Sequence, residues 1–108
     1  KDLFTTQDNA KIYAIMMDLS VLLGWFFRLS TTEWCFIIFA ISSVLAAEAF
    51  NTALEHITDL VSPEHHELAG RTKDAAAGGV LLTAIGAAIV GILIFLPKCY
   101  QLLLDLLS

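Results

Sequence analysis

The chain reads as an all-α membrane protein with three transmembrane helices, and three observations carry that reading. Residues 75–97 are 23 consecutive residues without one ionisable side chain. At 1.5 Å per residue such a run reaches about 34 Å, enough for a hydrocarbon core of about 30 Å. Two further apolar stretches, residues 12–29 and 34–60, have the length of a span. The third observation is composition. Of 108 residues, 57% are hydrophobic and only 16% charged, with a mean hydropathy of +0.75. A soluble domain this small exposes much of its surface and rarely carries such a balance. Residues 1–108 are read as one domain.

The elements follow in order. Residues 1–11 are polar, and Thr5, Thr6 and Asp8 offer helix N-caps. Span 12–29 is interrupted by Asp18 and Arg28. An ionisable residue inside a span faces the bundle or a watery crevice. Trp25, Phe26 and Phe27 close this span as an aromatic cluster of the kind found at headgroup level. Ser30 and Glu33 fit a capping box, which opens the next helix at Trp34. The most polar stretch, residues 62–73, separates the second and third spans, with Ser62 as N-cap and Pro63 at a first helical position. The third span is expected to end at Pro97, followed by a short amphipathic tail over residues 99–108. Small-residue runs at 75–79 and 86–88 permit close helix approach. No segment has the pattern of a cleaved signal peptide.

Charge sets orientation and excludes one class of partner. Lys1, Lys11, Arg71 and Lys73 share a side; Arg28 and Lys98 lie on the other. This bias places the N-terminus and the His-rich loop in the cytoplasm. A net charge of −5 argues against nucleic acid, which needs a basic footprint. Cys35 and Cys99 stand apart beside apolar segments and read as packing residues, not as a zinc site or disulfide framework.

The residues that point to chemistry begin with Glu48, Asn51, Glu55 and Asp59. On a helix they fall within an arc of about 80°, while Phe50, Leu54, Ile57 and Leu60 keep the other faces apolar. A carboxylate near membrane depth is costly unless it meets a partner, a metal or water. Glu48 and Glu55 lie about 10 Å apart along the axis, too far to bind one ion together. They divide the labour instead, one holding a metal and one handling a proton, with Asn51 able to orient either. The competing reading is a polar seam that joins helices. In the loop, His65 and His66 are adjacent and lack the spacing of a paired zinc site. Glu64, His66 and Glu67 suit either a polar ligand or a solvated loop. Arg71 and Lys73 at a helix start can hold phosphates, and Asp74 beside them can hold Mg²⁺. The same two cations also serve as membrane anchors. Neither a GxxxxGK[ST] loop nor a kinase-type Gly-rich loop is present.

The run from Glu48 through Asn51, Thr52, Ala53 and Glu55, then Asp59, then Glu64-His65-His66, then Lys73-Asp74-Ala75-Ala76-Ala77-Gly78 resembles the signature of the prokaryotic integral-membrane diacylglycerol kinase family. That family includes undecaprenol kinases. Its general form is E-x-x-N-[ST]-A-[IL]-E, then D, a short loop with E-x-H, and K-D-x-A-[AS]-[AG]. The resemblance covers residues 34–97 well and the N-terminal third poorly. It implies a homotrimeric helical bundle with active sites shared between protomers, in the bacterial inner membrane and facing the cytoplasm. It implies transfer of the ATP γ-phosphate to a lipid hydroxyl, with Mg²⁺. Carried over by motif position, Glu48 resembles the general base, Glu55 a metal ligand and Asn51 the amide that supports the site. Asp59, Glu64 and His66 resemble nucleotide contacts, Lys73 the phosphate-binding lysine, and Asp74 its acidic neighbour.

The N-terminal third departs from the family pattern. A second metal-binding glutamate is expected in a stretch of the form E-R-N-x-R-I-H. Here that stretch is Gln7-Asp8-Asn9-Ala10-Lys11-Ile12-Tyr13, so Gln7 takes the metal-ligand position and Tyr13 replaces a histidine or acid. The family's N-terminal surface helix is absent or unrecognisable. Two alternatives to an active lipid kinase follow. One is a catalytically impaired relative that binds nucleotide or a partner. The other is a transporter subunit whose carboxylate stripe conducts ions.

Overall fold

The computed structural model describes residues 6–108, with side chains from residue 11 onward. Three helices account for almost all of it: α1 (Thr6–Phe26), α2 (Thr31–Val61) and α3 (Glu67–Leu107). The expected caps at Thr5, Thr6 and Asp8 lie outside the described side chains. α2 and α3 pack as an antiparallel hairpin, and α1 lies mainly against α2. α2 and α3 are each long and apolar enough to cross a membrane. α1 does not join them on that measure; its 21 residues include Asp8, Lys11 and Asp18.

Each connection is fixed by named backbone and side-chain bonds. α1 ends in a Schellman motif: Leu29 N–H donates to Gly24 O at 3.1 Å and Arg28 N–H to Trp25 O at 3.2 Å. Arg28 carries the left-handed conformation of that motif, with φ 55°. Leu29 then folds back and is buried. Gly24 is required here, because an added Cβ would sit 2.6 Å from Trp34 Cη2 and 3.1 Å from Leu29 Cδ1. Gly24→Ala gains about 1 kcal/mol of helix propensity but loses about 1–3 kcal/mol through overpacking. The ring wedged against the turn leaves the second effect in control, so the variant unfolds at a lower temperature in a detergent melt.

The expected capping box at the start of α2 is present. Glu33 N–H donates to Ser30 Oγ at 3.1 Å, and Ser30 N–H donates to Glu33 Oε1 at 3.0 Å. The second carboxylate oxygen of Glu33 meets Lys98 Nζ of α3 at 3.0 Å. One side chain thus caps α2 and ties it to α3. At the other end of the hairpin Lys73 of α3 pairs with Asp59 of α2. The two clasps lie about 25 residues apart along each helix, or about 38 Å, so they bracket an apolar length slightly greater than a bilayer core.

One expected boundary is corrected. Ser62 and Pro63 do not open α3. Ser62 is the C-cap of α2, its N–H donating to Thr58 O at 2.8 Å. Pro63 disfavours a helical residue before it, and Ser62 accordingly leaves the helical region at φ −134°, ψ 77°. The N-cap of α3 is His66, whose Nδ1 accepts from Leu68 N–H at 3.1 Å. α3 itself continues past the expected end of the span, through Pro97 to Leu107, 41 residues in all. Pro97 removes the bond to the carbonyl of Leu93 and its ring crowds that carbonyl, at a cost of about 3 kcal/mol, and the helix is carried on by a leucine-rich stretch of good helix formers.

The interior of the three-helix unit is slight. Among the described apolar side chains only Leu29, Ile37, Val44 and Val80 are buried. Ile37, Val44 and Asn51 follow one another at intervals of seven, a buried seam along α2. Outside that seam large apolar side chains such as Phe39, Leu60 and Leu93 are exposed. Such surfaces need lipid or further helices around them. These glycines of α3 do not make a close contact within the chain: a Cβ added at Gly78, Gly79 or Gly86 meets nothing within 4 Å.

Candidate functional site

The seam on α2 ends at Asn51, and there the packing changes character. Asn51 is buried, and its Oδ1 has no hydrogen-bond partner. A buried amide oxygen left unpaired is costly, so this atom marks a place where a donor or cation belongs. Glu48 and Glu55, both half-buried, flank it one turn away on either side. Their negative charges repel one another, which a cation between or beside them offsets.

Beside this stripe lies an apolar groove of about 550 Å³ between α1 and α3, floored by α2. Tyr13, Met16 and Leu23 line it from α1, Val44 from α2, and Ala88 and Phe95 from α3. On α2 the groove reaches Val44 and Leu45, one helical turn before Glu48. At the far end Phe27 and Phe95 meet with ring centroids 6.2 Å apart. The acid–amide stripe thus stands at the mouth of a slot wide enough for hydrocarbon.

The residues singled out from sequence separate into three groups. Glu48, Asn51 and Glu55 share the stripe. Asp59 and Lys73 are brought together across the hairpin as an ion pair. Glu64, His66 and Asp74 stay exposed at the loop and the start of α3. His66 spends Nδ1 on the cap, which fixes the proton on Nε2 and turns that N–H outward as a donor. The Gln7 side chain lies outside the described residues. Sequence reading did not anticipate Tyr13 as a groove wall or the Glu33–Lys98 clasp. The burial of Asn51 was signalled by its seven-residue spacing from Val44 and Ile37.

The donor set was tested against a metal. Among the described residues no three His, Cys, Asp or Glu side chains gather as a metal cluster. A self-contained zinc or calcium cage is therefore not formed by them. What the stripe supplies is hard oxygen: Glu48 and Glu55 stand too far apart to share an ion, so each offers a single carboxylate beside the orphaned amide oxygen of Asn51. That set fits Mg²⁺, which takes one or two carboxylates and fills its shell with water and substrate phosphates.

Fold and site together define a helical membrane protein whose polar site opens beside a hydrocarbon-sized groove. The family model of prokaryotic diacylglycerol kinase matches residues 1–95, and the chain belongs to that family. It is a lipid kinase. The chain is 41% identical over 93 residues to the undecaprenol kinase of Bacillus subtilis (strain 168), covering 86% of this chain and 76% of that protein. It is 37% identical over 101 residues to a diacylglycerol kinase of Synechocystis, covering 93% of this chain and 58% of that protein. The diacylglycerol kinase of Escherichia coli (strain K12) matches at 38% over 53 residues, 49% of this chain and 43% of its own length. No solved structure matches the chain.

Proposed function

We propose that this kinase transfers the γ-phosphoryl group of ATP to the hydroxyl of a membrane lipid, with Mg²⁺, at the cytoplasmic face of the bacterial inner membrane. The observation that carries the site is the buried, unpartnered Asn51 oxygen between two glutamates at the mouth of the apolar groove. The lipid chain occupies the groove and presents its hydroxyl to Glu48. Glu48 takes the hydroxyl proton as the new oxygen–phosphorus bond forms and ADP departs. Glu55, with Gln7, holds Mg²⁺, whose charge offsets that of the phosphate oxygens when it is bound. Asn51 orients the groups beside it. Lys73 faces the phosphates, with Asp74, Asp59, Glu64 and the outward Nε2–H of His66 on the nucleotide side. Phosphoryl transfer rests mainly on positioning and charge neutralisation, and these residues supply both.

Lys73 is already neutralised by Asp59 before any nucleotide arrives. Phosphate oxygens therefore exchange with a carboxylate, which keeps the lysine in place without leaving its charge unpaired. α1, about 31 Å long, is the third span in this reading. The open faces around Gly78, Gly79 and Gly86 support a homotrimer in which protomers complete one another's sites. The extent of identity to the Bacillus relative favours undecaprenol over diacylglycerol as the acceptor. One observation favours a catalytically impaired relative instead: Gln7 stands where the family pattern has a glutamate.

One assay separates these readings. Protein reconstituted with Mg²⁺ and ATP is offered each lipid, and phosphorylated product is counted beside nucleotide binding. Product with undecaprenol at a greater kcat/KM than with diacylglycerol is the expected result. Nucleotide binding without product from either lipid overturns the reading in favour of the impaired relative.

A further inference from the structure

The two clasps put a length on the apolar groove. α2 and α3 are antiparallel, so eleven residues from the Asp59–Lys73 clasp Glu48 stands level with Ala84. Three to four residues from the Glu33–Lys98 clasp Ile37 stands level with Phe95. From the level of Glu48 to that of Phe95 each helix runs about 17 Å. Ala84, Ile37 and Phe95 all line the groove, and its wall on α1, from Ile12 to Leu23, has that same length. On α3 the lining goes on to Cys99, about 23 Å in all.

Volume then decides what fits. About 550 Å³ spread over about 17–23 Å is a mean cross-section of about 24–32 Å². A hydrocarbon chain rises about 1.2 Å per carbon, as an extended backbone does per atom, and a methylene fills about the 30 Å³ of a water molecule. One chain therefore needs about 25 Å² and two need about 50 Å². An α-helix with its side chains is about 10 Å in diameter, so about 80 Å², and does not enter. Of the described residues that line the groove, all but Tyr13, Ser20 and Cys99 are apolar, which leaves water few partners there. The wall on α3 makes the room. Ala84, Ala87, Ala88 and Gly91 follow one another at helical spacing on one face. Gly91 lies about 10 Å beyond Ala84, and a Cβ added to it meets nothing within 4 Å.

We propose that the groove measures the acceptor: it takes one hydrocarbon chain, for about fourteen carbons from the hydroxyl, and Gly91 keeps its distal half open. The inference rests on the reading that seats the acceptor chain in the groove, and adds to it the number of chains and the length that is read. In a polyprenol, with four backbone carbons to each unit, that length is between three and four isoprene units. The remainder of a longer chain lies in the bilayer.

The test is a length series in vesicles holding the full chain, with Mg²⁺ and ATP. Polyprenols of two, three, four, six and eleven isoprene units are offered at equal mole fraction in the bilayer. The expected kcat/KM rises about tenfold from two units to four, the order of effect that methylenes carry in a fitted pocket, and stays level from four to eleven. Gly91→Leu puts a side chain across the slot at about 10 Å without loss of helix propensity. Its rise ends at two units, so the ratio of four-unit to two-unit kcat/KM falls to about one. The series in the natural chain stands whether or not that variant folds. Equal kcat/KM at every length, or a rise that continues from four units to eleven, overturns the proposal and leaves the kinase reading standing. A folded Gly91→Leu protein with the length dependence of the natural chain overturns it too. Product from no polyprenol fails the proposed acceptor itself, and this inference with it.

Discussion

Glu48→Gln lowers the turnover of lipid phosphorylation by about 10²–10⁴-fold, the range spanned by a lost general base, while the KM for ATP changes little. Glutamine keeps the shape of the side chain and its hydrogen-bonding reach but cannot accept the hydroxyl proton. The location of Glu48 directs the loss to one step. It stands at the groove end of the stripe, half-buried and one turn beyond Val44 of the groove lining, and not among the loop residues assigned to nucleotide. A base that meets only the acceptor has no part in holding ATP, so binding measured by nucleotide titration stays intact. The fold has little reason to suffer, because removing one of two mutually repelling charges relieves the stripe. The competing reading, a polar seam that joins helices, predicts something else. There Glu48→Gln and Glu55→Gln have equal, mild effects on turnover and lower the melting temperature together. Steady-state kinetics of the two variants, each with a detergent melt, distinguishes the cases.

The chain states its hairpin and its stripe openly. Glu33 three residues after Ser30 specifies the capping box, and both of its hydrogen bonds are found. The spacing of Glu48, Asn51, Glu55 and Asp59 puts them on one face, and the helix that makes this so runs unbroken from Thr31 to Val61. What local pattern does not state is which of several competent residues a connection uses. Ser62 is as good an N-cap as His66 by residue type. The backbone constraint of the proline after it makes it a C-cap instead, and the cap of α3 passes four residues on. Pro97 has the form of a terminator. Yet its cost of about 3 kcal/mol does not break a leucine-rich helix of 41 residues tied at Lys98 to Glu33. Pairings between distant residues, Asp59 with Lys73 and Glu33 with Lys98, depend on the register of α2 against α3.

The metal half of the site carries the second large effect, and it can be moved in both directions. Glu55→Gln raises the Mg²⁺ concentration needed for half-maximal rate by about 10-fold or more, since one of the one or two carboxylates that bind this ion is lost. Gln7→Glu lowers it, by adding a carboxylate where the family pattern places one. The signs follow from charge. Mg²⁺ sheds water reluctantly and is held by carboxylate oxygen far better than by a neutral amide. The Asn51 oxygen, buried and unpartnered, is by the same reasoning an orienting contact and too weak to hold the ion alone. The double variant, Gln7→Glu with Glu55→Gln, separates two cases: a shift equal to the sum of the single shifts marks side chains that address separate groups, and a departure from that sum marks two side chains on one ion. Mg²⁺ titrations of rate at saturating lipid, for the natural chain, the two single variants and the double, read this directly. Activity that is unmoved in all three variants removes Glu55 and Gln7 from the metal site and leaves the stripe to its role between helices.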